Sequence, residues 1–257
     1  MSKRYDGLFL PGLPVDKVVS ALEAAPGDEL ASGKFANPES SAALAVNTFG
    51  FFVDAPEKLP PLAHIDGDAW IAESVRIECC LHFPWRGGRH PWLDAVIETK
   101  DYLIGVESKR FEPFRARDAG SFSKAYWRPV WGSRMGRFER LRDKLNEKPD
   151  HYQRLDAVQL VKHAFGIRTQ AEVRKRKGAL FYLYAEPKRW PDADGRSIPK
   201  SSREEHVAEA RDFAKQVSGD EIDVVTCSYR ELLESMRSST LADVRQHALA
   251  VEERFSP

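Results

Sequence analysis

Two segments rich in β-forming residues, with only a tight turn between them, constrain the fold more than any other feature of the sequence. The segments are WLDAVIE and YLIGVESKRF, and Thr99, Lys100 and Asp101 separate them. This spacing predicts an antiparallel β-hairpin. If Lys100 and Asp101 form the turn, the numbers of opposed residues sum to 201. Asp94 is then expected directly opposite Glu107.

The predicted register gives the two faces of the hairpin different characters. Asp94 and Glu107 share one face, with their Cβ atoms about 4.5–5.5 Å apart. Lys109 points to that face as well, because it follows Glu107 by two residues. Gly105 is expected to leave open space beside this charged cluster. The other face is predicted to carry apolar side chains for core packing: Leu93, Ala95, Ile97, Ile104 and Val106.

The charged cluster is costly among apolar neighbours unless another group compensates it. Two close carboxylates repel and retain a proton unless a hard divalent cation neutralises them. Mg²⁺ or Mn²⁺ suits the cluster, because Mg²⁺ binds one or two carboxylates, waters and phosphate oxygens. In this interpretation Asp94 and Glu107 hold the ion. Lys109 orients a water and helps to deprotonate it for attack on phosphorus.

The sequence offers little support for other catalytic classes. It contains neither a GxSxG nucleophile motif nor a glycine-rich phosphate loop. Its three cysteines lack the spacing of a zinc site or a disulfide framework. The histidines His82, His90 and His163 lack metal-ligand spacing and are interpreted as structural or surface residues. Equal numbers of basic and acidic side chains, 39 of each, do not by themselves indicate a polyanionic partner.

Patterns along the rest of the chain predict helices around a sheet. Helices are expected after Pro14 (VDKVVSALEAA) and after Pro38 (ESSAALAVNTF), followed by a strand, VRIECCLHF. Beyond the hairpin come two helices, RFERLRDKLNE and HYQRLDAVQLVKHAFGI, the second ending at Gly166, and a buried strand, ALFYLYAEP. A helix that stops near Gly219, a strand and two helices complete the chain. This alternation indicates an α/β or mixed sheet flanked by helices.

Asp94, twelve intervening residues and then Glu107, Ser108 and Lys109 resemble the motif of the PD-(D/E)xK nuclease superfamily, whose members are restriction-endonuclease-like. The resemblance covers roughly residues 70 to 190. It departs from the motif at Leu93, which precedes Asp94 where the proline would stand. The αβββαβ core of that superfamily would occupy residues 68–74, 75–83, 91–99, 102–110, 151–165 and 179–185.

The resemblance implies one mixed α/β domain with three parts. These are a helical lead-in at 1–67, a catalytic core at 68–190 and an αβαα extension at 191–257. It also implies a metal-dependent nuclease, for DNA more than for RNA, that leaves 5′-phosphate and 3′-hydroxyl ends. The further site residues that it implies are the backbone carbonyl of Ser108 as a metal ligand, Gln159 with Lys162 behind it, and Glu78 with Glu73 in reserve.

Basic residues are dense between positions 109 and 144 and could track phosphates. The expected nucleic-acid contacts are Arg110, Arg115, Arg117, Arg128 and Lys162. Aromatic residues among them could stack on nucleotides or serve as core. No membrane span or signal peptide is expected, which makes the cytoplasm the expected location. A homodimer is left open, as are two rivals to the nuclease. One is a non-catalytic module of the same fold that binds nucleic acid or a protein partner. The other is a small-molecule enzyme or structural protein in which Asp94, Glu107 and Lys109 form only an ion-pair cluster.

Overall fold

The computed structural model describes residues 5, 7–65, 70–116, 120–192 and 194–257. Its helices in chain order are α1 (Val15–Ala24), α2 (Ser41–Phe49), α3 (Gly136–Glu147), α4 (Ala157–Arg174), α5 (Lys200–Val217), α6 (Tyr229–Arg237) and α7 (Ala242–Phe255). Its strands are β1 (Ala72–Cys80), β2 (Trp92–Thr99), β3 (Tyr102–Lys109), β4 (Lys177–Tyr184) and β5 (Ile222–Ser228). No helix in these described residues is long and apolar enough to cross a membrane.

The strands form one five-stranded mixed sheet within the described residues, in the order β1-β2-β3-β4-β5. The pairs β1–β2 and β2–β3 are antiparallel, whereas β3–β4 and β4–β5 are parallel. In the hairpin, Ala95 pairs with Val106 and Glu98 with Leu103. The predicted hairpin register is therefore confirmed, and so is the predicted mixed sheet flanked by helices.

Helices cover both faces of the sheet, each over its own apolar cluster. On one face, α1, α2, α6 and α7 pack against the sheet through side chains that include Val18, Leu44, Phe49, Leu232 and Val251. On the other face, α3, α4 and α5 pack through side chains that include Phe138, Leu160, Phe165 and Phe213. Burial of this area is the main stabilising contribution, at roughly 25 cal/mol per Å² of apolar surface.

The leading helix of the core lies earlier in the chain than residues 68–74. Residues 72–74 open β1 instead, and residues 66–69 lie outside the described part of the chain. The helix that packs on β1, β2 and β3 is α2, whose side chains are buried along most of its length. The observed core is therefore α2, β1, β2, β3, α4 and β4, with α3 inserted before α4.

Helix α4 differs from its prediction at both ends. It begins at Ala157, where the Asp156 side chain caps it by accepting the backbone N–H of Gln159 at 3.0 Å. It continues through Gly166 to Arg174. A Cβ at Gly166 would lie 2.6 Å from Cγ of Pro91. This glycine therefore permits close approach of the chain before β2, and the predicted helix end there is wrong.

Candidate active site

Strand β2 leaves regular alternation at Asp94. Ala95 packs in the core beneath α2, whereas Leu93 belongs to the opposite cluster beneath α4. The predicted placement of Leu93 on the face of Ala95 is therefore wrong. Leu93 also fills the space next to Gly105: a Cβ there would lie 2.4 Å from Cδ1 of Leu93 and 2.7 Å from Cδ1 of Ile167. Gly105 permits close packing, and the open space predicted at this residue is absent.

Strand β1 changes face at the same level. Ile77 and Cys79 lie on opposite sides of the sheet, although residues two apart in a regular strand share a face. Between them Glu78 has φ +49°, in the left-handed region that residues other than glycine rarely adopt. The residues on either side of Glu78 pair with those on either side of Asp94. Glu78 and Asp94 therefore lie across from each other, at the point where the side chains of both strands change face.

A backbone contact holds Asp94 against the end of β3. Its Oδ2 accepts the backbone N–H of Ser108 at 2.6 Å. The N–H and C=O of one residue in a strand point to the same side, so the carbonyl of Ser108 points toward Asp94 as well. The Ser108 hydroxyl lies 2.6 Å from the hydroxyl of Tyr229, at the start of α6. This buried contact fixes the end of β3 from the opposite face.

Glu107 is buried, at 3% exposure, between two basic side chains. Lys109 Nζ lies 2.6 Å from its Oε1. His163 Nδ1, from α4, lies 3.2 Å from its Oε2, a close contact without the alignment of a hydrogen bond. Burial opposes ionisation, but the charge of Lys109 and the contact with His163 lower the pKa of Glu107 to about 2. Glu107 is therefore an anion at neutral pH.

The other two carboxylates are less fully compensated. Burial, followed by the charges of Glu107 and Glu78, raises the pKa of Asp94 well above its usual value. Burial, followed by the charges of Glu29 and Glu107, raises the pKa of Glu78 to about 7. Lys109 acts on Asp94 and Glu107, and Glu78 adds a third carboxylate near both. The cluster is short of positive charge.

Helix α4 carries two of the predicted site residues, Gln159 and Lys162. Gln159 is half-buried in the first turn of α4, four residues before His163 and so on the same helix face. Lys162 points elsewhere, because its Nζ lies 5.6 Å from the ring centre of Phe122 and 5.8 Å from that of Tyr126. Sequence reasoning missed His163, and its spacing from Gln159 was the available signal. Its interpretation as a structural or surface residue overlooked the contact with Glu107.

Arg110 does not line a nucleic-acid surface, in contrast to its prediction. It is 7% exposed, and its guanidinium donates to the backbone carbonyls of Pro38 and Phe255. Burial lowers its pKa to about 10. The side chain joins the segment before α2 to the end of α7, which is a structural role.

The remaining predicted contacts vary in exposure. Arg115 is exposed, pairs with Glu39 and lies with its Cζ 5.0 Å from the ring centre of Trp190. Arg128 is exposed over Trp85, at 4.7 Å. Arg117 lies outside the described residues. Of the aromatic residues that could have stacked on nucleotides, the structure buries three as core: Phe111, Tyr126 and Trp131.

The mixed sheet with helices on both faces makes this an α/β protein whose fold is compatible with a restriction-endonuclease-like core. The chain belongs to the family described as "Restriction Endonuclease associating with ARP", whose match spans residues 14–252. No curated protein and no solved structure matches it.

Proposed function

We propose that this chain is a Mg²⁺- or Mn²⁺-dependent nuclease of the PD-(D/E)xK type that hydrolyses phosphodiester bonds in nucleic acid, DNA in preference to RNA. The main observation behind this proposal is that Asp94, Glu107 and Lys109 converge where β2 begins and β3 ends. Membership of a restriction endonuclease family supports the same reaction class. That family is also described as associating with ARP, so we propose in addition that this chain acts together with ARP.

The donor chemistry at the cluster fits a hard divalent cation. Asp94 and Glu107 offer carboxylate oxygens, and the Ser108 carbonyl points to the same side. No three His, Cys, Asp or Glu side chains form a ready-made metal site within the described ranges. A cation here would therefore keep several water ligands, as Mg²⁺ commonly does. It would also add positive charge where Glu78 lies near Asp94 and Glu107.

Each residue of the cluster has a part in the proposed hydrolysis. When bound, the cation lowers the pKa of a water molecule and polarises the phosphate. Asp94 and Glu107 would hold it, in competition with Lys109 for Oε1 of Glu107. The Lys109 ammonium would orient the attacking water and stabilise negative charge on the phosphate oxygens. Gln159 on α4 and Glu78 across from Asp94 would position water and substrate around them.

The test is cleavage of plasmid and oligonucleotide DNA with Mg²⁺ or Mn²⁺. The wild-type chain should cut only with metal, leaving 5′-phosphate and 3′-hydroxyl ends. Asp94→Ala and Lys109→Ala should each abolish cutting while the circular dichroism spectrum stays unchanged. Metal-dependent cutting by either variant would falsify the assignment.

Two rivals give different results in this experiment. A nuclease-fold module without activity would bind DNA with every metal and never cut it. The close contact between Lys109 and Glu107 favours a second rival, in which the cluster is a structural ion pair alone. Calorimetric titration separates that rival, because a purely structural cluster should bind neither Mg²⁺ nor Mn²⁺.

A further inference from the structure

A cleft opens directly beside Lys109, on the side where the described chain leaves β3. Its volume is about 290 Å³. Besides Lys109, its walls include Glu112 and Arg115 from the segment after β3, Arg154 and Asp156 from the segment before α4, and Tyr182 from β4. The volume falls just below the range of about 300–1,000 Å³ that is typical of small-molecule sites. An extended nucleic-acid strand that passes Lys109 suits this cleft better than an enclosed small molecule.

The two acidic residues of the cleft are already engaged with backbone. Glu112 Oε2 accepts the N–H groups of Arg110 and Phe111 at 2.8 and 3.0 Å. Asp156 Oδ1 accepts the N–H of Gln159 as the cap of α4. Their negative charge is therefore partly compensated within the protein. The cleft wall also carries three cations, Lys109, Arg115 and Arg154, each of which pairs with a carboxylate outside the cleft.

Helix α5 fixes the position of Arg154, one of these cations. The carboxylate of Glu209, on α5, accepts the backbone N–H groups of Gln153, Arg154 and Leu155, with distances from 2.7 to 2.8 Å. The Arg154 side chain donates from Nε to Glu205 at 2.9 Å, and Nη2 lies 3.4 Å from Ser202 Oγ. Helix α5 thus holds both the backbone and the side chain of Arg154 at the cleft wall.

We propose that Arg154 binds a backbone phosphate of the nucleic-acid substrate next to the bond that is cut. This inference rests on the proposed nuclease function. A guanidinium group matches a phosphate with two parallel donors, and prior orientation reduces the entropy lost on binding. Arg154 shares its cleft with Lys109, so a phosphate on Arg154 would guide the adjacent linkage toward Asp94 and Glu107. Arg115 forms part of the same wall and would contact the chain further out.

The experiment measures binding of a short fluorescent DNA duplex in EDTA over a series of salt concentrations, and cleavage of the same duplex with Mn²⁺. Arg154→Ala should bind about 10-fold more weakly, with a salt slope smaller by about one unit, because one phosphate contact is lost. Cleavage should show a raised KM. The matched control is Arg176→Ala, since Arg176 is also paired and partly buried (20% side-chain exposure against 27% for Arg154) but lies beyond the other end of the sheet. The control should match wild type in affinity, salt slope and KM.

The outcomes separate this inference from the nuclease assignment. Wild-type cutting with equal affinity and KM for both variants would overturn the role of Arg154 alone. A wild-type chain that neither binds nor cuts would overturn the proposed function, and this inference with it. If Arg154→Ala fails to fold, Arg154→Lys decides: weaker binding with an unchanged salt slope supports paired phosphate recognition, and unchanged affinity contradicts it.

Discussion

The two ends of β2 carry carboxylates in opposite electrostatic settings. Toward the hairpin turn, Glu98 lies within 2.6 to 3.5 Å of three arginines, Arg76, Arg174 and Arg176. At the other end, Asp94 and Glu107 both interact with the ammonium of Lys109, and Glu78 adds a third carboxylate near them. The first cluster is saturated with cations, as expected of a structural ion-pair network. The second retains protons unless further positive charge binds there, and this difference supports the proposed cation site at that end.

The largest expected difference between the two ends is in catalysis. Glu107→Gln should reduce Mn²⁺-dependent DNA cleavage by at least about 10²-fold, because electrostatic contacts to the reacting group contribute effects of this size. Glu98→Gln should leave the rate constant for cleavage near that of wild type. Single-turnover cleavage of a labelled duplex checks both variants. Equal losses of cleavage activity in Glu107→Gln and Glu98→Gln would show that the two ends of β2 do not differ in function.

The next effect concerns the dependence of stability on pH without metal. The pKa of Glu78 is about 7 in the folded chain, above its ordinary 4.5. The protonated side chain therefore contributes fully to folding stability below pH 4.5, and this contribution is lost as the pH rises through 7. Glu78→Gln should therefore be more stable than wild type at pH 8, by at most about 3 kcal/mol. Urea unfolding in EDTA at pH 4.5 and pH 8 measures it.

Glu73→Gln is the matched control for that experiment, because Glu73 is on the same strand but exposed and paired with Arg176. It should not become more stable than wild type at pH 8, because the substitution removes an exposed carboxylate that pairs with Arg176. If the stability of Glu78→Gln changed with pH between 4.5 and 8 as much as that of wild type, this would contradict the proposed shortage of positive charge at the cluster.

Removing the charge of Glu98 should destabilise the saturated end. Glu98→Gln leaves three arginines without their shared carboxylate, and we expect a loss of about 1–3 kcal/mol. Urea unfolding at pH 7 in EDTA provides the measurement. Stabilisation by this substitution would mean that the arginine cluster is strained by its own repulsion, which the observed ion pairs do not predict.

The smallest expected effect is that of His163, which supports Glu107 from α4. His163→Asn should lower cleavage about 10-fold, as is typical of residues that orient a metal ligand. The apparent Mn²⁺ affinity should fall with it, whereas DNA affinity in EDTA should stay unchanged. Reduced DNA affinity would instead assign His163 to substrate binding.

The sequence predicted the hairpin because two segments rich in β-forming residues, joined by a two-residue turn, leave few registers. It also predicted the meeting of Asp94, Glu107 and Lys109, which follows from that register. It could not predict that β1 and β2 turn over at Glu78 and Asp94, because a positive φ at a glutamate depends on tertiary packing. The error at Gly105 followed from this turnover.

Long-range contacts explain the other errors. Arg110 is buried only because Pro38 and Phe255, far apart in the chain, meet around its guanidinium. Gly166 is a typical helix-ending residue, yet its place in α4 is set by contact with Pro91. Such contacts cannot be predicted from local sequence patterns or from secondary-structure propensity.

The most direct test of the account is a crystal grown with Mn²⁺ and examined by anomalous scattering. We predict a single strong peak in the cluster, within coordination distance of Asp94, Glu107 and the carbonyl of Ser108, with Lys109 turned away from Oε1 of Glu107. Absence of a peak there at saturating Mn²⁺, with Lys109 still on Glu107, would contradict the proposed cation site.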